Sequence, residues 1–83
     1  MRGQVIVDKT TGRQWLYAPE AKLYFHALEG ENNKMIVVAF RSDGYFNLPG
    51  GPMPIEQWLR ENFNFTTELE IPQHIMEFAL KSA

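Results

Sequence analysis

Residues 34–54, KMIVVAFRSDGYFNLPGGPMP, decide how this 83-residue chain reads. From Lys34 to Arg41, Ile36, Val38 and Phe40 alternate with Met35, Val37 and Ala39, so both faces of the segment are apolar. That pattern predicts the central strand of a sheet. Ser42-Asp43-Gly44 carries the Asp-Gly hairpin signal, and Tyr45 to Leu48 is expected to pair back as a short final strand at an edge. Pro49 to Pro54 then packs three prolines and two glycines into six residues, which removes ladder donors and raises the entropy of ordering. The sheet is expected to stop there.

Upstream, Gln4 to Asp8 is β-branched, Lys9-Thr10-Thr11-Gly12 supplies a tight connection, and Arg13 to Tyr17 returns, with Gly12 free to take a positive φ. Ala18-Pro19-Glu20 breaks the run. Ala21 to Glu29 resumes it, with Leu23, Phe25 and Ala27 on an inward face and Lys22, Tyr24 and His26 on the other. Gly30-Glu31-Asn32-Asn33 is turn-prone.

Downstream the spacing becomes helical. Pro54 suits a first helical turn, and Ile55, Trp58, Leu59 and Phe63 make one apolar stripe, predicting a helix from about Pro54 to Phe63. Thr67-Glu68-Leu69-Glu70 has the form of a capping box, but Pro72 would fall inside that helix, so a second start near Ile71 is preferred. Ile71, Ile75, Phe78 and Ala79 form its stripe, and Met76 and Leu80 widen it. The expected fold is α+β: a four- to five-stranded antiparallel meander sheet followed by two C-terminal helices packed on one face. Residues 1–83 make a single domain, with 1–48 sheet, 49–54 a Pro/Gly connection and 55–83 helical.

Composition bounds the function. The net charge is −2, with more bases than acids through Pro52 and five glutamates against Arg60 and Lys81 beyond it, which argues against a chain devoted to neutralising phosphates. There is no cysteine, so thiolate nucleophiles and cysteine-based zinc sites are excluded, and a cytoplasmic home is the expectation. The longest apolar run, Met35 to Phe40, falls far short of the roughly 20 residues that span a bilayer, so no membrane partner is expected.

Nucleophilic catalysis needs a hydroxyl, a base and an orienting group, and the chain offers two histidines, His26 and His74, and two serines, Ser42 and Ser82, none in a nucleophile-elbow context. Glu29 and Glu31 flank Gly30 beside Asn32 and Asn33, short of a calcium loop in count and spacing. Glu68 and Glu70 read as an exposed pair. No catalytic residue, cofactor or metal is expected.

One stretch resembles a catalytic family. Phe40 to Gly51, ending in Leu48-Pro49-Gly50-Gly51, and then Leu59-Arg60-Glu61 are similar to the Nudix hydrolases, in which a strand ends in that motif and leads to a helix whose glutamates hold magnesium on a diphosphate. The resemblance covers about 25 residues; Leu48-Pro49-Gly50-Gly51 and Arg60-Glu61 match in type, but the connection between them is several residues shorter than in the family. The positions after Glu61 are Asn62-Phe63-Asn64-Phe65, where the family carries glutamates.

Two Trp, three Tyr, six Phe and four Met exceed what one sheet face and two helices enclose. The first functional reading is therefore a non-catalytic interaction domain acting as a homo-oligomer, a dimer first, through Trp15, Tyr17, Trp58, Phe63, Phe65, Ile75, Met76 and Phe78. A second, not favoured, is single-stranded nucleic-acid binding on an open sheet face by Arg13, Trp15, Tyr17, Lys22, Tyr24 and Arg41. A third is small-molecule binding, or a degenerate Nudix-like remnant, with a pocket between residues 49–54 and His26.

Overall fold

The computed structural model describes residues 1–29 and 31–83, the side chains of Glu29, Asn33 and Met35 excepted. β1 (Arg2–Asp8), β2 (Gln14–Ala18), β3 (Leu23–Glu29) and β4 (Met35–Arg41) form the expected antiparallel meander. The first hairpin closes as its chemistry dictates. Gly12 takes φ 74° and its N–H donates to the Asp8 carbonyl, while the Asp8 carboxylate accepts from the Thr10 N–H at 2.8 Å.

Past β4 the structure departs from the expected order. β5 (Tyr45–Leu48) does not join the main sheet; it pairs with β6 (Gly51–Pro54) in a separate two-stranded hairpin. Its prolines are tolerated because a two-stranded ribbon has free outer edges where a missing N–H removes no ladder bond. Helix α1 (Ile55–Asn62) follows directly, its first N–H donating to the Gly44 carbonyl at 2.9 Å. The chain then returns to the sheet as β7 (Phe63–Glu70), antiparallel to β1, before α2 (Gln73–Ser82). So residues 55–83 are not all helical, and Phe63 opens a strand rather than closing a helix.

The strand order is β4-β3-β2-β1-β7. This corrects the placement of Lys34 to Arg41: the most apolar strand lies at an edge, not in the centre. The reason is topological, since the segment expected to pair on its far side folds away into the β5-β6 hairpin.

The helices do not share a face. Side-chain alternation sends Ile6, Trp15, Tyr17, Tyr24, His26 and Phe40 to one face, where Ile55 and Leu59 of α1 pack on Ile6, Tyr17 and Phe63. It sends Leu16, Ala18, Leu23, Phe25, Val37 and Ala39 to the other, where Met76 and Ala79 of α2 pack. Three layers result, with α1 and α2 on opposite sides. A second helix on the same face would have left Phe25 and Leu23 in water; here Phe25 is buried by α2.

β7 serves both layers because of a bulge. Phe65 lies opposite Ile6, but Glu68 lies opposite Gln4, so β7 spends one residue more than β1 between them. The extra residue reverses the parity of the strand: Phe63 and Phe65 join the α1 layer, whereas Leu69 packs in the α2 layer. Thr66 donates its hydroxyl to the Val5 carbonyl at 2.9 Å and its own carbonyl accepts from Gln4 Nε2, satisfying the backbone there.

Candidate interaction surface

On the α1 face the helix packs over Ile6, Tyr17 and Phe63, and the aromatic side chains of β2, β3 and β4 continue beyond it. Trp15 is the centre. Its ring lies 4.0 Å from the His26 ring, 5.6 Å from Tyr24 and 6.1 Å from Phe40, and it meets Phe63 edge-on at 6.0 Å. Tyr24 and Phe40 stack at 5.6 Å. Trp58 links this cluster to the hairpin, edge-on to Phe46 at 5.0 Å and to Phe63 at 5.9 Å.

The outer end of the cluster is open. Ile36 is 52% exposed, Phe40 45% and Leu28 38%, and these three flank the half-buried Val38 on the same face of β3 and β4. The Trp15 Nε1 is buried with no hydrogen-bond partner among the described residues. Phe78 and Leu80 of α2 are exposed on the opposite side of the molecule.

The expected interface residues divide accordingly. Tyr17, Phe63 and Met76 are buried inside one copy, so their work is in the core. Trp15, Trp58, Phe65 and Ile75 are half-buried at its margins, and Phe78 is exposed. Sequence reasoning misses Ile36, Val38 and Phe40 as surface residues, because their two-sided apolar pattern is that of a central strand. The signal that could have moved them was the Pro/Gly content after Leu48, which left the presumed neighbour strand poorly suited to a main sheet.

The nucleic-acid set is dispersed. Tyr17 and Tyr24 are buried, and burial raises both phenols, Tyr17 also through the Glu56 carboxylate that accepts its hydroxyl at 3.2 Å. Arg41 is held by both oxygens of Asp43 at 3.0 and 2.7 Å, which pushes that carboxyl below the usual range. Lys22 sits at φ 55° in the turn before β3, and Arg13 is exposed just before β2. Of the six, Trp15 is the half-buried centre of the aromatic face, with Tyr24 beside it.

A cavity of about 320 Å³ is lined by Val5, Gln14, Leu16, Phe25, Ala27 and Ile75 on the α2 side, with Trp15 and His26, whose side chains alternate to the other face, also in its lining. This is not where a pocket between residues 49–54 and His26 was expected. The turn carrying Glu29 and Glu31 includes Gly30 and side chains that lie outside the described residues. Among the described residues, no group of three or more His, Cys, Asp or Glu is placed to hold a metal. Leu48-Pro49-Gly50-Gly51 closes the β5-β6 hairpin and does not run straight into a helix; Arg60 lies 4.7 Å above the Phe65 ring.

The His26 imidazole is shifted from its ordinary value. Burial against Trp15 and the Arg13 charge both hold it below its ordinary value. The unfolded chain therefore binds more protons than the folded one below about pH 6.5, so this contribution to stability is whole above that pH and is lost as pH falls through the folded value. Urea midpoints should drop between pH 7.5 and 5.5, and the drop should shrink in His26→Gln. An identical drop in that variant would assign the effect elsewhere.

Comparison with protein-family models, with curated proteins and with solved structures gives no match. Among the described residues, no helix is long and apolar enough to cross a membrane.

Proposed function

We propose that this chain is a non-catalytic interaction domain that works as a homo-oligomer, in the first instance a dimer. The observation that carries this reading is the uncovered apolar strip of Leu28, Ile36, Val38 and Phe40, contiguous with the Trp15 cluster on one face of the sheet. Scattered exposed apolar residues are normal on any protein, but a contiguous strip ending on an unpaired strand is a surface that water penalises and a partner relieves. The polar chemistry supports the same reading: the closest charged pairs, such as Arg2 with Glu68 and Arg41 with Asp43, lie at the surface and bind each other.

Sedimentation equilibrium over a wide concentration range tests it. The expected result is mass rising from that of the 9.6 kDa chain toward twice that value. A single-chain mass up to the highest attainable concentration would overturn the reading.

A further inference from the structure

We propose that two copies of this chain pair antiparallel through β4, about a two-fold axis at Val38, so that the two main sheets become one continuous sheet. This rests on the interaction-domain reading and supplies its partner and its register.

The free groups of β4 are fixed by its ladder to β3. The Ser42 N–H donates to the Lys22 carbonyl at 2.8 Å, in the same register that sets Phe40 opposite Tyr24, Val38 opposite His26 and Ile36 opposite Leu28. Alternation then turns the backbone N–H and C=O of residues 36, 38 and 40 toward β3, and those of residues 35, 37, 39 and 41 outward. An incoming antiparallel strand must match outward residues with outward residues. For a second β4, the register centred on Val38 is the one that uses all seven residues: Val37 exchanges bonds with Ala39 of the second copy, and residue 35 with its Arg41.

That register also places the side chains. Ile36 comes opposite Phe40 of the second copy, and Val38 opposite Val38, at non-hydrogen-bonded positions where Cα atoms approach to about 4.5 Å. These are the exposed and half-buried residues of the apolar strip, so one rigid-body operation satisfies the edge and packs these side chains against their mates. No like charges oppose each other, since residues 35–40 carry none and Lys34 falls opposite Ser42.

The other edge is built to refuse such pairing. β7 displays Asn64, Thr66, Glu68 and Glu70, is bent by its bulge, and holds Glu68 on Arg2 at 2.8 Å. Charge and bulges are the usual means of blunting an edge strand, and β4 has neither along residues 35–40. The isologous geometry closes after two copies because pairing uses up the β4 edge of each.

The chain contains no cysteine, so Val38→Cys puts one thiol on the proposed axis within disulfide reach of its mate. Mild oxidation should give covalent dimer on the order of tenfold faster than Thr67→Cys on the β7 edge, because pairing raises the effective thiol concentration. Mixing Ile36→Cys with Phe40→Cys, both at exposed positions, should give mainly the mixed disulfide. Val38→Lys sets two ammonium groups opposite each other and should sediment as a monomer with an unchanged circular-dichroism spectrum. A wild-type dimer whose thiol variants fail to cross-link, or a dimeric Val38→Lys, overturns the β4 register and leaves the interaction reading standing. A wild-type monomer overturns both.

Discussion

Leu59→Ala is expected to lower the unfolding free energy by about 2–5 kcal/mol, read as a shift of the urea midpoint at unchanged slope. A chain of this length has on the order of 4–12 kcal/mol of total stability, so the variant stands near the edge of folding. Leu59 is fully buried and is the residue by which α1 grips Ile6, Tyr17 and Phe63 beneath it. The space it leaves has nothing mobile to fill it: Phe63 is fixed edge-on between Trp15 and Trp58, and Ile6 lies in a strand paired on both sides. A loss below about 1 kcal/mol would mean that the α1 layer is not packed as described.

Gly3→Ala should cost about 1–3 kcal/mol or more, although it adds a single methyl group. A Cβ at Gly3 would overlap Ile71 Cδ1 and stand 2.7 Å from Ile71 Cγ1 and 2.9 Å from the Tyr17 carbonyl oxygen. Ile71 can turn away; the carbonyl, in the β1-β2 ladder, cannot. Gly12→Ala gives the contrast. Its Cβ meets nothing within 4 Å, and only the positive φ resists it, so its cost is about 1–2 kcal/mol and comes from backbone strain alone. Leu59 and Gly3 lie in layers on opposite faces but share Tyr17 as a neighbour, its side chain packed with Leu59 and its carbonyl oxygen against Gly3, so their losses are expected to couple rather than simply add.

Much of this fold is written locally. The Asp8-to-Gly12 turn and the break at Pro19 are each specified within a few residues and form where the pattern puts them, and the α1 stripe does so as far as Leu59; the Asp43-Gly44 signal does not make its hairpin, because Tyr45 to Leu48 pairs with β6 and not with β4. The α+β class and the antiparallel meander follow from them. What was not legible depends on long-range choices. The alternation of Phe63, Phe65 and Leu69 with Asn64, Thr66, Glu68 and Glu70 is a strand signal in its own right, but it overlaps the end of a helical stripe and a capping-box pattern, and only pairing with β1 decides among them. Which strand lies at an edge is likewise not a property of that strand. The apolar pattern of β4 records that both its faces are to be covered; it does not record that one cover is α2 and the other an aromatic strip left open.

The candidate surface was legible in composition and illegible in position. An excess of aromatic residues pointed to an interface, yet much of that excess is absorbed by the second layer, where Tyr17, Tyr24 and Phe63 are buried. Of the exposed apolar residues, Leu28, Ile36 and Phe40 are concentrated at β3 and β4, while Tyr45 and Leu48 stand apart on the hairpin and Phe78 and Leu80 on α2. That concentration, with the outward backbone groups of Val37 and Ala39, is the physical core of the account.

Amide hydrogen exchange of the wild-type chain, followed residue by residue along β4 as concentration is raised, tests it most directly. In a single copy the Val38 and Phe40 amides are bonded within the sheet while those of Val37 and Ala39 face solvent. The account predicts that Val37 and Ala39 gain protection as the protein is concentrated and lose it on dilution, with Val38 protected throughout. Val37 and Ala39 amides that exchange as fast in concentrated solution as in dilute would contradict it.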